Sequence, residues 1–261
     1  MEHFPLAESR AYTPEPCTFE DYRDLCRVLG IDRAVIVQPT AYATDNRATL
    51  DAIARANGRL RGVAVIDEHA TDADLERLAS RGVRGIRLTS ARSPRFEVAA
   101  LVRAARRIAS IGWHVQLHFG SSSDLLGLAD AIKGSPAPIV LDHLAGCRGD
   151  EGSAAPAFRL LLSLLRDHEH VWVKLSSFYR RSGQPAPYSN MRPLVHAVVE
   201  ARPDRIVFGT NWPHTSLTGA VPNDGDLLDI VMQWIDDSAL RDAIFVRNPE
   251  ALYGFPPWRA E

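Results

Sequence analysis

Cysteine is scarce in this chain, with three in 261 residues. Cys17, Cys26 and Cys147 show no metal-type spacing, and an odd count argues against a disulfide scaffold, so a reducing cytoplasm is the expected home. An excess of either charge is also lacking, since 30 Lys and Arg face 32 Asp and Glu for a formal net of -2. The basic residues are spread along the chain, and clusters such as Arg103 to Arg107 read as solvated helix faces. Neither nucleic acid nor an anionic membrane is an expected partner. No apolar run is long enough to span a bilayer, and Met1-Glu2-His3-Phe4-Pro5 has no basic-then-apolar signal pattern. A Gly-rich phosphate turn after an early strand is missing too, which argues against a doubly wound nucleotide-binding sheet.

What the chain does have is apolar material, at 46% of residues, enough for a sizeable core in one domain spanning residues 1–261. Short β-branched runs recur at 34–38, 62–66, 85–88, 114–119, 138–143, 171–175 and 205–209. Helical patterns follow several of them, at 46–56, 72–80 and 98–110. Seven strand-plus-helix units with connections long enough for right-handed crossovers predict a parallel sheet. Nearly continuous Val, Ile and Leu within the runs predicts burial on both faces. The implied fold is α/β, a (β/α)8 barrel of the TIM type that lacks its usual first strand, because the segment from His3 to Glu20 does not read as a strand. Two unpaired sheet edges would follow, to be covered by the segment Met1 to Cys17 or by a second copy of the chain in a homo-oligomer.

Polar residues gather where these strands end. Arg87 continues Gly85-Ile86, His118 ends Val115-Gln116-Leu117, and His143 ends Ile139-Val140-Leu141-Asp142. Asn211 and His214 follow the last strand in Phe208-Gly209-Thr210-Asn211-Trp212-Pro213-His214, where Pro213 turns the chain. One polar strand end is expected by chance, whereas several on one rim point to a site. Arg87, His143 and Asn211 are therefore expected to meet in one pocket at the C-terminal rim. An arbitrary arginine is usually a surface charge, but Arg87 continues an apolar strand. A single rim histidine can equally be a hydrogen-bonded structural group.

The final stretch resembles the last-strand signature of the amidohydrolase superfamily, in the branch containing 2-pyrone-4,6-dicarboxylate lactonase. Tyr12-Thr13-Pro14, Thr44-Asp45-Asn46, Gly85-Ile86-Arg87, Gly112-Trp113-His114-Val115, Asp142-His143, Pro222-Asn223-Asp224-Gly225, Asn248-Pro249 and Leu252-Tyr253 extend the likeness from about Phe4 to Phe255. The family's first strand, with its His-x-His pair, precedes the point where this chain starts, through a late start or a shortened barrel. The resemblance implies that His143 polarises a substrate carbonyl and that Arg87 and Arg180 bind carboxylates, for which a planar bidentate donor is suited. Arg92 or Arg95 would add another anchor. Tyr12, Thr40 and His214 are candidate substrate contacts, and His118 is a candidate pocket residue. Lys174 is expected to pair with a barrel carboxylate and not to form a Schiff base.

One departure matters for chemistry. Where the family has an aspartate that activates water, this chain has Asn211, and a carboxamide cannot take a proton at neutral pH. Without an anionic ligand and without the histidine pair, His118, His143 and His214 make a poor metal site. The expectation is therefore a metal-independent hydrolase with no cofactor, which opens the lactone of a small carboxylated product of aromatic degradation and either uses His118 or His214 as base or, impaired by Asn211, is very slow. Two alternatives stay open: a non-catalytic dicarboxylate binder that keeps the anchors without the base, and a metal-dependent decarboxylase or hydratase of the same superfamily.

Overall fold

The computed structural model describes residues 4–10, 12–90, 97–217 and 219–258. Arg92 and Arg95 lie outside them. All seven expected strands are present, at Ala34–Val37 (β1), Leu60–Ala64 (β2), Val83–Thr89 (β3), His114–His118 (β4), Ile139–Leu141 (β5), Val171–Leu175 (β6) and Ile206–Phe208 (β7). They form one sheet in sequence order, the order a run of β-α crossovers dictates, and the registered pairs are parallel. Residues 4–18 contain no strand among those described. None of the helices of the described residues is long and apolar enough to cross a membrane.

The chain divides into two compact units. The smaller comprises Met1–Arg87 and Trp212–Val221. It contains helices α1 (Phe19–Leu29), α2 (Arg47–Arg55) and α3 (Asp72–Ser80). Capping boxes start α1 and α3, with the Thr18 and Thr71 hydroxyls accepting from Asp21 and Asp74 backbone N–H groups while those aspartates bond back to the cap. Helix α2 packs closely onto β2 at Gly62, where a Cβ would stand 2.7 Å from Ile53 Cδ1 and displace the end of that side chain. Behind β1, Gln38 is fully buried and satisfied by the Asp45 carbonyl at 2.8 Å and the Thr49 hydroxyl at 2.6 Å.

The larger unit, Leu88–Asn211 and Pro222–Glu261, holds the main core. Its helices are α4 (Val98–Ile108), α5 (Ser123–Lys133), α6 (Pro156–Asp167), α7 (Phe178–Arg181), α8 (Arg192–Ala201), α9 (Asp224–Trp234), α10 (Ser238–Asp242) and α11 (Asn248–Tyr253). Strands β5 and β6 are buried throughout, as their unbroken apolar composition requires. A buried ion pair interrupts that core: the ammonium of Lys174, on β6, lies 2.9 Å from the Asp142 carboxylate. Gln116 of β4 closes the triangle, accepting from Lys174 at 2.9 Å and donating to Asp142 at 2.7 Å. The expected ion pair of Lys174 with a barrel carboxylate is thus present. All three cysteines are free, and burial pushes the Cys147 thiol up to about 12.

Candidate active site

Within the larger unit, the loops after β4, β5, β6 and β7 bring together His118, His143, Ser176, Ser177, Tyr179 and Asn211. His118 is the last residue of β4 and half-buried; its Nδ1 lies 3.2 Å from the Thr89 hydroxyl. Its ring meets that of His143 edge to face, with centroids 5.2 Å apart. His143 is buried, and its Nδ1 lies 2.6 Å from the Ser176 hydroxyl. One residue further on, Ser177 accepts from the Asn211 carboxamide Nδ2 at 3.3 Å, and the same nitrogen donates to the Tyr179 hydroxyl at 2.7 Å. Polar side chains from Thr89 to Asn211 thus line the ends of five parallel strands, linked by the Thr89–His118, His143–Ser176 and Ser177–Asn211–Tyr179 hydrogen bonds and by the ring contact of His118 with His143.

Backbone geometry explains how these side chains leave the sheet together. After β5 the chain makes a left-handed turn in which His143, Leu144 and Ala145 have φ of 53°, 52° and 54°. Three successive non-glycine residues in that region are costly and persist only where surrounding packing fixes them. Here Leu144 and Ala145 are fully buried, and Asp142 is anchored on Lys174. Ser177 and Asn211 also sit at positive φ, 61° and 65°.

The electrostatics of His143 follow from its burial. Desolvation holds its imidazole well below the ordinary histidine value of 6.5, with Asp142 opposing and His118, Lys174 and Arg181 adding to the depression. His143 is therefore neutral at pH 7. The stability consequence has a definite sign: below about 6.5 the unfolded chain takes up a proton that folded His143 refuses, so stability is complete above that pH and falls below it. Urea midpoints measured from pH 7.5 to 5 should decline more steeply for the parent than for His143→Gln, and parallel declines would rule this out.

Other sequence candidates are placed as follows. Arg180, in α7, approaches the Tyr179 hydroxyl through Nε at 3.4 Å and lies over the Tyr179 ring. Arg87, Thr40, Tyr12 and His214 belong to the smaller unit. There Arg87 Nη1 donates to the Gln38 carbonyl at 3.4 Å, Thr40 opens a short 3-10 turn just after β1, and Tyr12 is half-buried within electrostatic reach of Tyr42. His214 is buried at a φ of 58°. Ser177, Tyr179 and Thr89 had no sequence signal as site residues beyond a polar strand end. No group of three or more His, Cys, Asp or Glu side chains that could hold a metal ion occurs among the described residues.

Residues 1–255 match the amidohydrolase family. The chain is 38% identical over 261 residues to 4-sulfomuconolactone hydrolase of Rhizobium radiobacter, covering 96% of this chain and 85% of that protein. It is 35% identical over 263 residues to 2-pyrone-4,6-dicarboxylate hydrolase of Comamonas testosteroni, again over 96% and 85%. Among solved structures, an apo protein from Agrobacterium tumefaciens superimposes with a TM-score of 0.86 at 30% identity, over 99% of this chain and 93% of that one. These similarities show that the chain belongs to the amidohydrolase family, in its lactone-hydrolase branch, and its parallel strand order is the one such α/β proteins have.

Proposed function

We propose that this protein hydrolyses the lactone ester of a small, anionic ring compound without a metal, and that His118, His143 and Asn211 carry the chemistry. The observation that supports the reading most is the ring contact of His118 with a neutral, buried His143, whose partner Ser176 adjoins the Ser177 that accepts from Asn211. In this reading the Ser176 hydroxyl donates to His143 Nδ1, which leaves the ring proton on Nε2 as the donor to the substrate carbonyl. The Asn211 carboxamide oxygen accepts one hydrogen bond from the attacking water and orients it. His118, half-buried and so reachable by solvent, takes the water's other proton as oxygen bonds to the carbonyl carbon. Collapse of the tetrahedral adduct breaks the ring C–O bond, and the departing oxygen regains that proton from His118. The product is the open hydroxy acid or its keto tautomer. Arg180 binds an anionic substituent of the ring.

The similarity to hydrolases of a sulfomuconolactone and of a pyrone dicarboxylate supports the substrate class. The test is ring opening of pyrone-dicarboxylate-type and muconolactone-type substrates, followed by loss of ultraviolet absorbance, with and without chelator. Turnover should be unaffected by chelator, and His118→Ala should lower kcat by about 100-fold or more with a much smaller change in KM. Chelator-sensitive turnover would replace this reading with a metal-dependent one. Tight binding of dicarboxylates without any ring opening would favour a binding protein, the reading that the carboxamide at position 211 favours.

A further inference from the structure

Arg181 is the most unusual charge in the larger unit. Its guanidinium carries five N–H donors, yet among the described residues one side-chain hydrogen bond is made, from Nη2 to the Phe119 carbonyl at 3.1 Å. Its Nε is enclosed and has no partner. Among the described residues no carboxylate forms an ion pair with it. Glu151 is the acid within electrostatic reach, but its Oε2 accepts instead from the Ser122 hydroxyl at 3.2 Å. The other charged neighbours are Arg148 and Arg180, so desolvation and two like charges push the guanidinium below its usual range. Arg148 is itself engaged by a two-pronged contact with Asp150. Enclosing a cation among cations without a counter-ion is costly, and in a chain with 32 acidic residues a partner could readily have been supplied. Arg181 also lies close enough to His143 to depress that imidazole's proton affinity.

We propose that Arg181 is an anion-binding subsite, which takes the carboxylate or sulfonate substituent of the substrate and holds the ring against His143. This rests on the lactone-hydrolase reading and deepens it. A planar anion completes what the fold leaves open: it supplies acceptors for the remaining guanidinium donors and neutralises the excess positive charge. Arg180 and Arg181 then divide the work, one lying over Tyr179 beside Asn211 and the other reaching the loop after β4. The competing explanation is purely structural, in which Arg181 ties the Phe119 loop to the segment whose Gly149 N–H bonds the Arg181 carbonyl. The two differ in sign: an uncompensated buried cation makes its removal neutral or stabilising for the apo protein, whereas a structural staple makes it destabilising.

Calorimetry and thermal shift with benzene-1,3-dicarboxylate and 3-sulfobenzoate, two flat, non-hydrolysable dianions, decide between them. Arg181→Gln keeps a donor for the Phe119 carbonyl and removes the charge; Arg181→Met removes both. For both variants the apo midpoint should be equal to or above the parent's, with dianion affinity weakened by about 10- to 100-fold. Arg148→Met should keep the parent's affinity. If 3-sulfobenzoate suffers the larger loss, the substituent held is a sulfonate; if the dicarboxylate does, it is a carboxylate. Parent-like affinity in Arg181→Gln, or a parent that binds neither dianion, overturns the subsite. A parent that opens lactones while Arg181→Gln binds dianions normally overturns the subsite alone; Arg181-dependent binding in a parent that opens none leaves the subsite standing and overturns the hydrolase reading.

Discussion

Asn211→Asp is expected to raise lactone hydrolysis at least tenfold, because it introduces a general base, and such bases typically contribute ~100- to 10,000-fold. The substitution is nearly isosteric, and aspartate tolerates the left-handed backbone (φ of 65°) almost as well as asparagine. The hydrogen bonds can be kept with their direction reversed. Nδ2 now donates to the Tyr179 and Ser177 hydroxyls, and in the variant both hydroxyls would donate to the carboxylate. Two such donors favour the ionised form, which is the form that accepts the proton of the attacking water. The pH profile gives a second readout. On the proposed mechanism the parent's base is His118 and activity falls as that imidazole protonates, so the variant should retain its rate to lower pH. Adding His143→Ala should cancel the gain, since the carbonyl loses its electrophilic partner. An unchanged rate in Asn211→Asp would show that residue 211 does not face the reacting water.

The strands were legible because parallel strands buried on both faces are written as unbroken Val, Ile and Leu runs, and all seven appear within a few residues of their expected bounds. Helix α1 was not singled out, although Phe19–Leu29 is amphipathic; none of its residues is buried, and five of the eleven are charged. His118, His143 and Asn211 stood out because each directly follows an apolar run. Their partners did not. Ser176 and Ser177 showed no more than a polar strand end, and Thr89, last in β3, and Tyr179, in α7, are hydroxyl residues that no periodicity marks. The turn at 143–145 has no glycine at its three left-handed positions, so nothing in the sequence signalled it. Arg180 and Arg181 are adjacent and alike in sequence, and it is the short α7 helix that sends one to Tyr179 and the other to the Phe119 carbonyl.

Asp142→Ala is expected to destabilise the fold by about 3–5 kcal/mol, the usual consequence of leaving a buried charge without its partner. The Asp142 side chain is 3% exposed and that of Lys174 10%, so water cannot replace the lost carboxylate. Gln116 loses the acceptor for its Nε2 in the same step. Against a total stability of roughly 5–15 kcal/mol for a typical protein, that leaves little margin. Geometry adds to the loss, because Asp142 immediately precedes the strained turn carrying His143, and without the Lys174 anchor the turn can relax to ordinary backbone angles. The double variant Asp142→Leu with Lys174→Met separates charge from position. It restores an apolar interior of similar volume, and such replacements of buried ion pairs are commonly neutral or stabilising. Its urea midpoint should recover part of the loss, the remainder being the cost of Gln116 left without either partner, while lactone hydrolysis stays low, since the turn has lost the anchor that sets His143. A loss below about 1 kcal/mol in Asp142→Ala would show that Lys174 finds another way to satisfy its charge. Full activity in the double variant would show that the left-handed turn holds His143 without the ion pair beneath it.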